Sequence, residues 1–183
     1  ASIDNITYGE NATVNIIVTG LNGTDLSGKV TITLNGQIEV NTTVNSDGVG
    51  SVVVSGLNAG NYTAEIKYLG NDNYFESNAT VNFNVGKHNS TTGASIDNIT
   101  YGENATVNII VTGLNGTDLS GKVTITLNGQ IEVNTTVNSD GVGSVVVSGL
   151  NAGNYTAEIK YLGNDNYFES NATVNFNVGK HNS

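Results

Sequence analysis

Oxygen donors crowd one short segment, Asn71-Asp72-Asn73 followed by Glu76, and hard cations such as calcium take ligands of this kind. The spacing of an EF-hand is absent, however, and Asx-rich turns ordinarily spend their side chains on local backbone. The reading is no metal and no cofactor, with Asp72, Asn73 and Glu76 as the donors a calcium ion would have to use. Catalysis finds even less material. The two histidines, His88 and His181, each sit in a Lys-His-Asn-Ser run. A nucleophilic triad needs its imidazole inside a cleft, whereas His88 reads as part of a solvated linker. Asp4, Glu10, Asp25, Glu39, Asp47, Glu65, Asp72 and Glu76 are spread over loops and outward strand positions, with no pair placed as a glycosidase dyad. The chain has no Cys, hence no thiolate nucleophile, disulfide or sulfur-bound metal. The residue inventory is not that of an enzyme.

Two covalent modifications remain to be weighed. An intramolecular Lys–Asn isopeptide bond needs a lysine, an asparagine and an acid buried together. Lys29 and Lys67 fall on the outward parity of their strands and Lys87 lies at a terminal edge, so parity argues against it. N-glycosylation has many more acceptors. Asn-X-Ser/Thr occurs at Asn5, Asn11, Asn22, Asn41, Asn61, Asn78 and Asn89, and again at Asn98, Asn104, Asn115, Asn134, Asn154 and Asn171. Most of these fall on turns or outward positions, where a glycan can be accommodated. An Asn/Thr-rich β surface also generates such triplets freely.

The elements that would position these residues come in duplicate. Ala1–Ser90 recurs without a change as Ala94–Ser183, with Thr91-Thr92-Gly93 completing the unit. A 93-residue period is too long for a solenoid turn of roughly 20–50 residues. It points to autonomous domains in series: residues 1–88, a short linker 89–93, and residues 94–183. Six Lys and no other strong base stand against sixteen acids, for a net charge of −10. That balance excludes a nucleic-acid groove, which needs a cationic footprint. No apolar run approaches the ~20 residues of a membrane-spanning helix. The absence of Met, even at Ala1, implies an excerpt of a longer chain, with any signal peptide or anchor outside it.

Within each unit the apolar residues alternate with period two, the strand signal. Val14, Ile16 and Val18 share one face; so do Val30, Ile32 and Leu34; Ile38, Val40 and Val44; Val52 and Val54; Tyr62, Ala64, Ile66 and Tyr68; and Ala79, Val81, Phe83 and Val85. Asn35-Gly36 is the preferred dipeptide of a type I′ hairpin turn, because both central residues need positive φ. With an opening strand near Ser2–Ile6, the count is about seven. The fold class is all-β: two tandem, identical immunoglobulin-like β-sandwiches of about seven antiparallel strands each. Leu57-Asn58-Ala59-Gly60-Asn61-Tyr62-Thr63 has the form of a tyrosine corner. The Tyr62 hydroxyl, and Tyr155 in the second copy, is expected to bond backbone just upstream and pin the crossover between sheets.

Asn58-Ala59-Gly60-Asn61-Tyr62-Thr63 and Tyr68-Leu69-Gly70-Asn71-Asp72-Asn73-Tyr74 together resemble the signature of bacterial-type Ig-like repeats in very large surface proteins. Tyr8-Gly9-Glu10-Asn11-Ala12-Thr13-Val14 is similar to the start of such repeats in adhesin-like proteins of methanogenic archaea. The resemblance spans essentially the whole unit, twice, and departs slightly at Asn71, where that family more often carries Asp. It implies an extracellular, cell-surface setting and a structural stalk or spacer repeat that projects or tethers a distal domain. The implied partners are the neighbouring repeats of the same chain. Two alternatives stay open: a multivalent module with weak sites for cell-surface glycans or proteins, and a subunit of an extracellular filament. Exposure of Tyr8, Tyr74 and Phe75 would favour binding; burial of all three would favour the spacer.

Overall fold

Alternation at period two takes the chain into strands throughout. The computed structural model, which describes residues 1–183, contains sixteen strands and no helix. No helix, therefore, is long and apolar enough to cross a membrane. The chain divides into two units, Ala1–Lys87 and His88–Ser183, each an Ig-like β-sandwich.

Unit 1 carries β1 (Ser2–Ile3), β2 (Ile6–Thr7), β3 (Ala12–Ile17), β4 (Gly28–Leu34), β5 (Ile38–Val44), β6 (Val49–Val54), β7 (Gly60–Tyr68) and β8 (Ser77–Gly86). They form a three-stranded sheet in the order β1-β3-β6 and a five-stranded sheet in the order β2-β8-β7-β4-β5. The opening strand anticipated over Ser2–Ile6 is broken. β1 pairs with β3 in one sheet, and after Asp4-Asn5 the chain crosses to pair β2 with β8 in the other. Asn5 secures the crossing, its Oδ1 accepting the Asn84 N–H at 2.8 Å. The β2–β8 pairing is parallel, Ile6 opposite Val85 and Thr7 opposite Gly86, while the other pairings in the unit are antiparallel.

The two sheets close on Val14 and Ile16 from β3 and on Val30, Ile32, Leu34, Ala64, Ile66, Tyr68, Phe83 and Val85 from the larger sheet. Val30, Ile32 and Leu34 have no exposed surface at all. Two core residues come from outside the alternating runs: Leu26 and Leu57 lie in loops, yet both are buried. Conversely, Ile38 keeps its inward parity but is 41% exposed, because β5 is the edge strand of its sheet and little lies over its start. Asn35 and Gly36 adopt φ of 50° and 68°, as a type I′ turn requires. Leu34 pairs with Ile38 rather than Gln37, so Gln37 is one extra residue in the hairpin.

Unit 2 repeats this plan with β9 (Thr91–Ile96), β10 (Ile99–Thr100), β11 (Ala105–Thr112), β12 (Gly121–Leu127), β13 (Ile131–Val137), β14 (Val142–Val147), β15 (Gly153–Tyr161) and β16 (Ser170–Gly179). Its sheets run β14-β11-β9 and β10-β16-β15-β12-β13. Two elements are longer: β11 has eight residues where β3 has six, and the opening strand is extended. Where β1 is two residues long, β9 is six, starting inside the stretch 89–93 that the sequence reading assigns to a linker. Thr91, Thr92 and Gly93 pair with Thr112, Val111 and Ile110. His88, read from sequence as solvated, is half-buried and forms a parallel bridge to Tyr167. The period-two pattern simply extends backward: Thr92 faces inward with Ile96, and only 7% of Thr92 is exposed.

Candidate functional site

The polar residues singled out by sequence gather at one end of the sandwich, where the loop after β7 meets the loop after β3. Most are occupied in holding the two loops together. Asn71 Nδ2 donates to the carbonyls of Asp25 (3.1 Å) and Ser27 (2.9 Å), and its Oδ1 accepts the N–H groups of Asn73 (2.8 Å) and Tyr74 (3.0 Å). The Leu21 N–H donates to the Tyr74 hydroxyl at 2.9 Å. Thr24 gives its proton to the Leu21 carbonyl, so the Tyr74 hydroxyl donates in turn to Thr24 Oγ1 at 2.5 Å. Beneath them the buried Tyr68 hydroxyl donates to the Leu26 carbonyl at 2.9 Å. Burial pushes the Tyr68 phenol above its ordinary value, and the Asp25 and Tyr74 charges push the same way. Asp25 is held below the usual carboxylate range by the Ser27 N–H, donated at 2.9 Å, and by the Ser27 hydroxyl.

Of the calcium candidates, Asp72 and Asn73 are exposed, and Glu76 forms an exposed ion pair with Lys67 at 3.3 Å. Nowhere do three or more His, Asp or Glu side chains group so that they could hold a metal ion. Asn71 supplies turn geometry, and an Asp there would lack the amide N–H groups that reach Asp25 and Ser27. A depression of about 530 Å³ opens along Val18–Asp25, with Ser46 and Asp47 on its far wall. Its titratable groups are Asp25, already committed to Ser27, and Asp47.

At the opposite end, the Tyr62 hydroxyl donates to the Asn58 carbonyl at 2.7 Å, and Tyr155 does the same to Asn151. Leu57–Ala59 is the crossover from β6 in one sheet to β7 in the other, so this bond ties the crossing to the strand it feeds. Tyr62 also stacks on Phe83 at 5.2 Å between ring centroids. Desolvation raises its pKa, partly offset by the Asn58 bond. All thirteen sequon asparagines are exposed. Asn5 and Asn61 use Oδ1 as acceptors, from the Asn84 N–H and from Asn84 Nδ2 respectively. Those bonds do not involve Nδ2, the atom a glycan joins. Lys29, Lys67 and Lys87 are exposed, with none of the burial an isopeptide bond requires.

The aromatic trio divides. Tyr8 and Tyr74 are half-buried, while Phe75 is 97% exposed. In unit 2, Tyr167 is fully buried and Phe168 is 51% exposed. The segment responsible, His88–Thr92, escaped the sequence reading. Its one signal was that Thr92 continues the inward parity of Ile96.

The same architecture occurs in solved structures at low sequence identity. Invasin, a bacterial integrin-binding protein, superposes with a TM-score of 0.63 at 20% identity over 98% of this chain and 38% of its own. A two-domain fibronectin type III segment of chicken tenascin matches with a TM-score of 0.56 at 15% identity over 97% of both chains. The Yersinia pseudotuberculosis adhesin InvE gives 0.51 at 15% identity, over 97% of this chain and 57% of its own. The chain thus spans less than two thirds of invasin and of InvE. No curated protein matches its sequence. The bacterial Ig-like domain (group 3) profile matches twice, over residues 1–86 and 91–179; the chain belongs to that family.

Proposed function

We propose that the chain is a load-bearing, non-catalytic stalk segment of an extracellular, cell-surface adhesin-type protein, each unit serving as a spacer that projects a distal domain. The observation that carries this reading is the parallel ladder between the opening and closing strands of each unit. Ile6 pairs with Val85 and Thr7 with Gly86, and the Tyr8 N–H donates to the Gly86 carbonyl at 2.7 Å. Ile99, Thr100 and Tyr101 do the same against Val178 and Gly179. Tension applied to the two ends of a unit pulls parallel neighbours in opposite directions, so their bonds are loaded together in shear rather than opened singly. Invasin, described as an integrin-binding protein, and InvE, described as an adhesin, support the surface setting, as does the likeness of Tyr8–Val14 to repeats of methanogen adhesin-like proteins.

Force spectroscopy on the full chain tests the load-bearing role. Tyr8 is the second residue of a turn closed by the Glu10 N–H on the Thr7 carbonyl, with Gly9 at φ 98°. Proline is favoured at that position, so Tyr8→Pro deletes the ladder bond while suiting the turn. Tyr8→Ala controls for the side chain, which packs on the core. Unit 1 of the proline variant is expected to unfold at lower force than unit 1 of the alanine variant, with unit 2 as internal reference. Equal forces in the two variants would remove the load-bearing role.

The repeats are further proposed to be N-glycosylated at the exposed sequons, which would also blunt the sheet edges against lateral pairing. Intact mass of the native protein should show glycan increments mapping to asparagines among the thirteen. An unmodified mass would remove this part of the reading.

A further inference from the structure

Each unit holds half of the sixteen acids and half of the six Lys, and the fold distributes them unevenly. In unit 2, Lys122, Glu132, Glu158 and Lys160 stand on the outward face of the five-stranded sheet, and the remaining acids lie in loops. The outward face of the three-stranded sheet β14-β11-β9 carries no charge. Its cross-strand pairs are Ile110 with Val142, Asn108 with Ser144 and Thr106 with Val146, and β9 adds only Thr, Gly and Ser. Ile110, Val142 and Val146 are each more than half exposed. Gly93 lies opposite Ile110, and a Cβ there would meet only the Ile110 carbonyl oxygen, at 3.8 Å, so a hollow flanks the aliphatic ridge. The pairs recur in unit 1 as Ile17 with Val49, Asn15 with Ser51 and Thr13 with Val53, with the same three aliphatic side chains exposed. The sequons follow the charges: Asn134, Asn154 and Asn171 stand on the larger sheet, and none lies on β9, β11 or β14.

We infer that the outward face of the three-stranded sheet is a docking surface between copies of this chain, its occupant being the same face of a second copy. Charge selects that occupant. A net charge of −10 repels a second copy wherever acids face acids, and this is the one broad face of the unit to which neither copy brings a charge. A basic partner would find its counter-charges on the loops and the larger sheet instead. The ridge and the hollow are also self-complementary. Ile110 and Val142 of one copy fill the space over Gly93 of the other, so the contact is isologous and closes as a pair. The two sheets then lie about 10 Å apart with their exposed Val and Ile side chains interdigitating. Three strands about 4.8 Å apart and about six residues long, at ~3.3 Å per residue, give a face of roughly 300 Å², against about 800 Å² per partner in stable complexes. A single contact is therefore weak, and association appears as concentration rises. Salt strengthens it, because screening relieves the repulsion between acidic loops while the contact itself has no ion pair to lose. The inference is independent of the load-bearing role of the ladder, which lies in the other sheet.

Sedimentation equilibrium of the full chain tests the surface. The native chain is expected to gain mean mass as concentration rises, and more steeply in high salt. Val53→Asp with Val146→Asp sets like charges across the contact and should weaken association ~10-fold or more. Val53→Thr with Val146→Thr keeps the branched shape that suits a strand, and so the fold, and should weaken it less. Asn82→Asp with Asn175→Asp brings the chain to the same net charge as the first variant from exposed positions on the larger sheet, and should leave association close to native. Mixing tests the occupant: at low salt, chains carrying Val53→Lys and Val146→Lys should associate with the valine-to-aspartate chains more strongly than either variant does alone. A native chain that stays monomeric in high salt, association that salt weakens, or equal association in the two aspartate variants would overturn the docking surface. Mixed chains that fail to associate would overturn the matching face of a second copy as its occupant.

Discussion

Replacement of Ile32 by alanine is expected to destabilise unit 1 by about 2–5 kcal/mol, the range for emptying a fully buried aliphatic site. Ile32 has no exposed surface and sits at the middle of β4, between Val40 on β5 and Ile66 on β7. It is therefore held by strands on both sides and faces the smaller sheet across the core. The surroundings can collapse little into the space, because backbone ladders fix the neighbours on either flank. For a domain of this size each kcal/mol moves the melting temperature by roughly 4–8 °C. Calorimetry of the full chain reads the effect, with Ile125 of unit 2 left native as reference. Ile38→Ala is the matched control: same chemistry, adjacent strand, but the residue is already 41% exposed, so a substantial part of the transfer free energy is absent and the loss should be clearly smaller. A cost below about 1 kcal/mol at Ile32 would mean that β4 does not close the core as described.

Gly70→Ala should be comparably damaging for a different reason. Gly70 has φ of 80°, and an added Cβ would collide with the Tyr74 carbonyl oxygen and stand 3.0 Å from the carbonyl carbon of Phe75. The left-handed backbone alone costs a non-glycine residue about 1–2 kcal/mol. Overpacking against a backbone that cannot yield adds about 1–3 kcal/mol. It cannot yield because Asn71 Oδ1 and the Asn71 N–H on the Tyr74 carbonyl clamp this loop closed. Gly36→Ala separates the two contributions. Its φ is 68°, yet nothing lies within 4 Å of the added atom, so only the conformational part should appear. Chemical denaturation of both variants decides the matter: equal losses would show that the Tyr74 loop moves aside at no cost.

Parity makes the sandwich legible in the residue pattern. Val30, Ile32 and Leu34 occupy the buried face that their spacing implies, and Asn35-Gly36 turns with both φ positive. These are local properties, carried by a two-residue period and by the sterics of single residues. Other features left no periodic trace. Leu26 and Leu57 are buried from loops, where neighbours in space rather than in sequence determine burial. The break at Asp4-Asn5 depends on Asn84, 79 residues away. Asn71 looked like part of a cation loop because its amide and the carboxylates beside it share the same oxygen chemistry; only the positions of Asp25 and Ser27 show that it fastens two loops.

The sharpest division lies between the two copies. Residue types and their alternation determined an all-β chain of two Ig-like sandwiches, and they determined it equally for both. Tertiary structure alone made Tyr167 buried and Tyr74 partly open, and Phe168 half-covered and Phe75 bare. Identical sequences have identical propensities, so this difference arises from what packs beside them: the strand pairing of Thr91–Gly93 with β11 lays His88 and Ser90 along the edge that buries Tyr167.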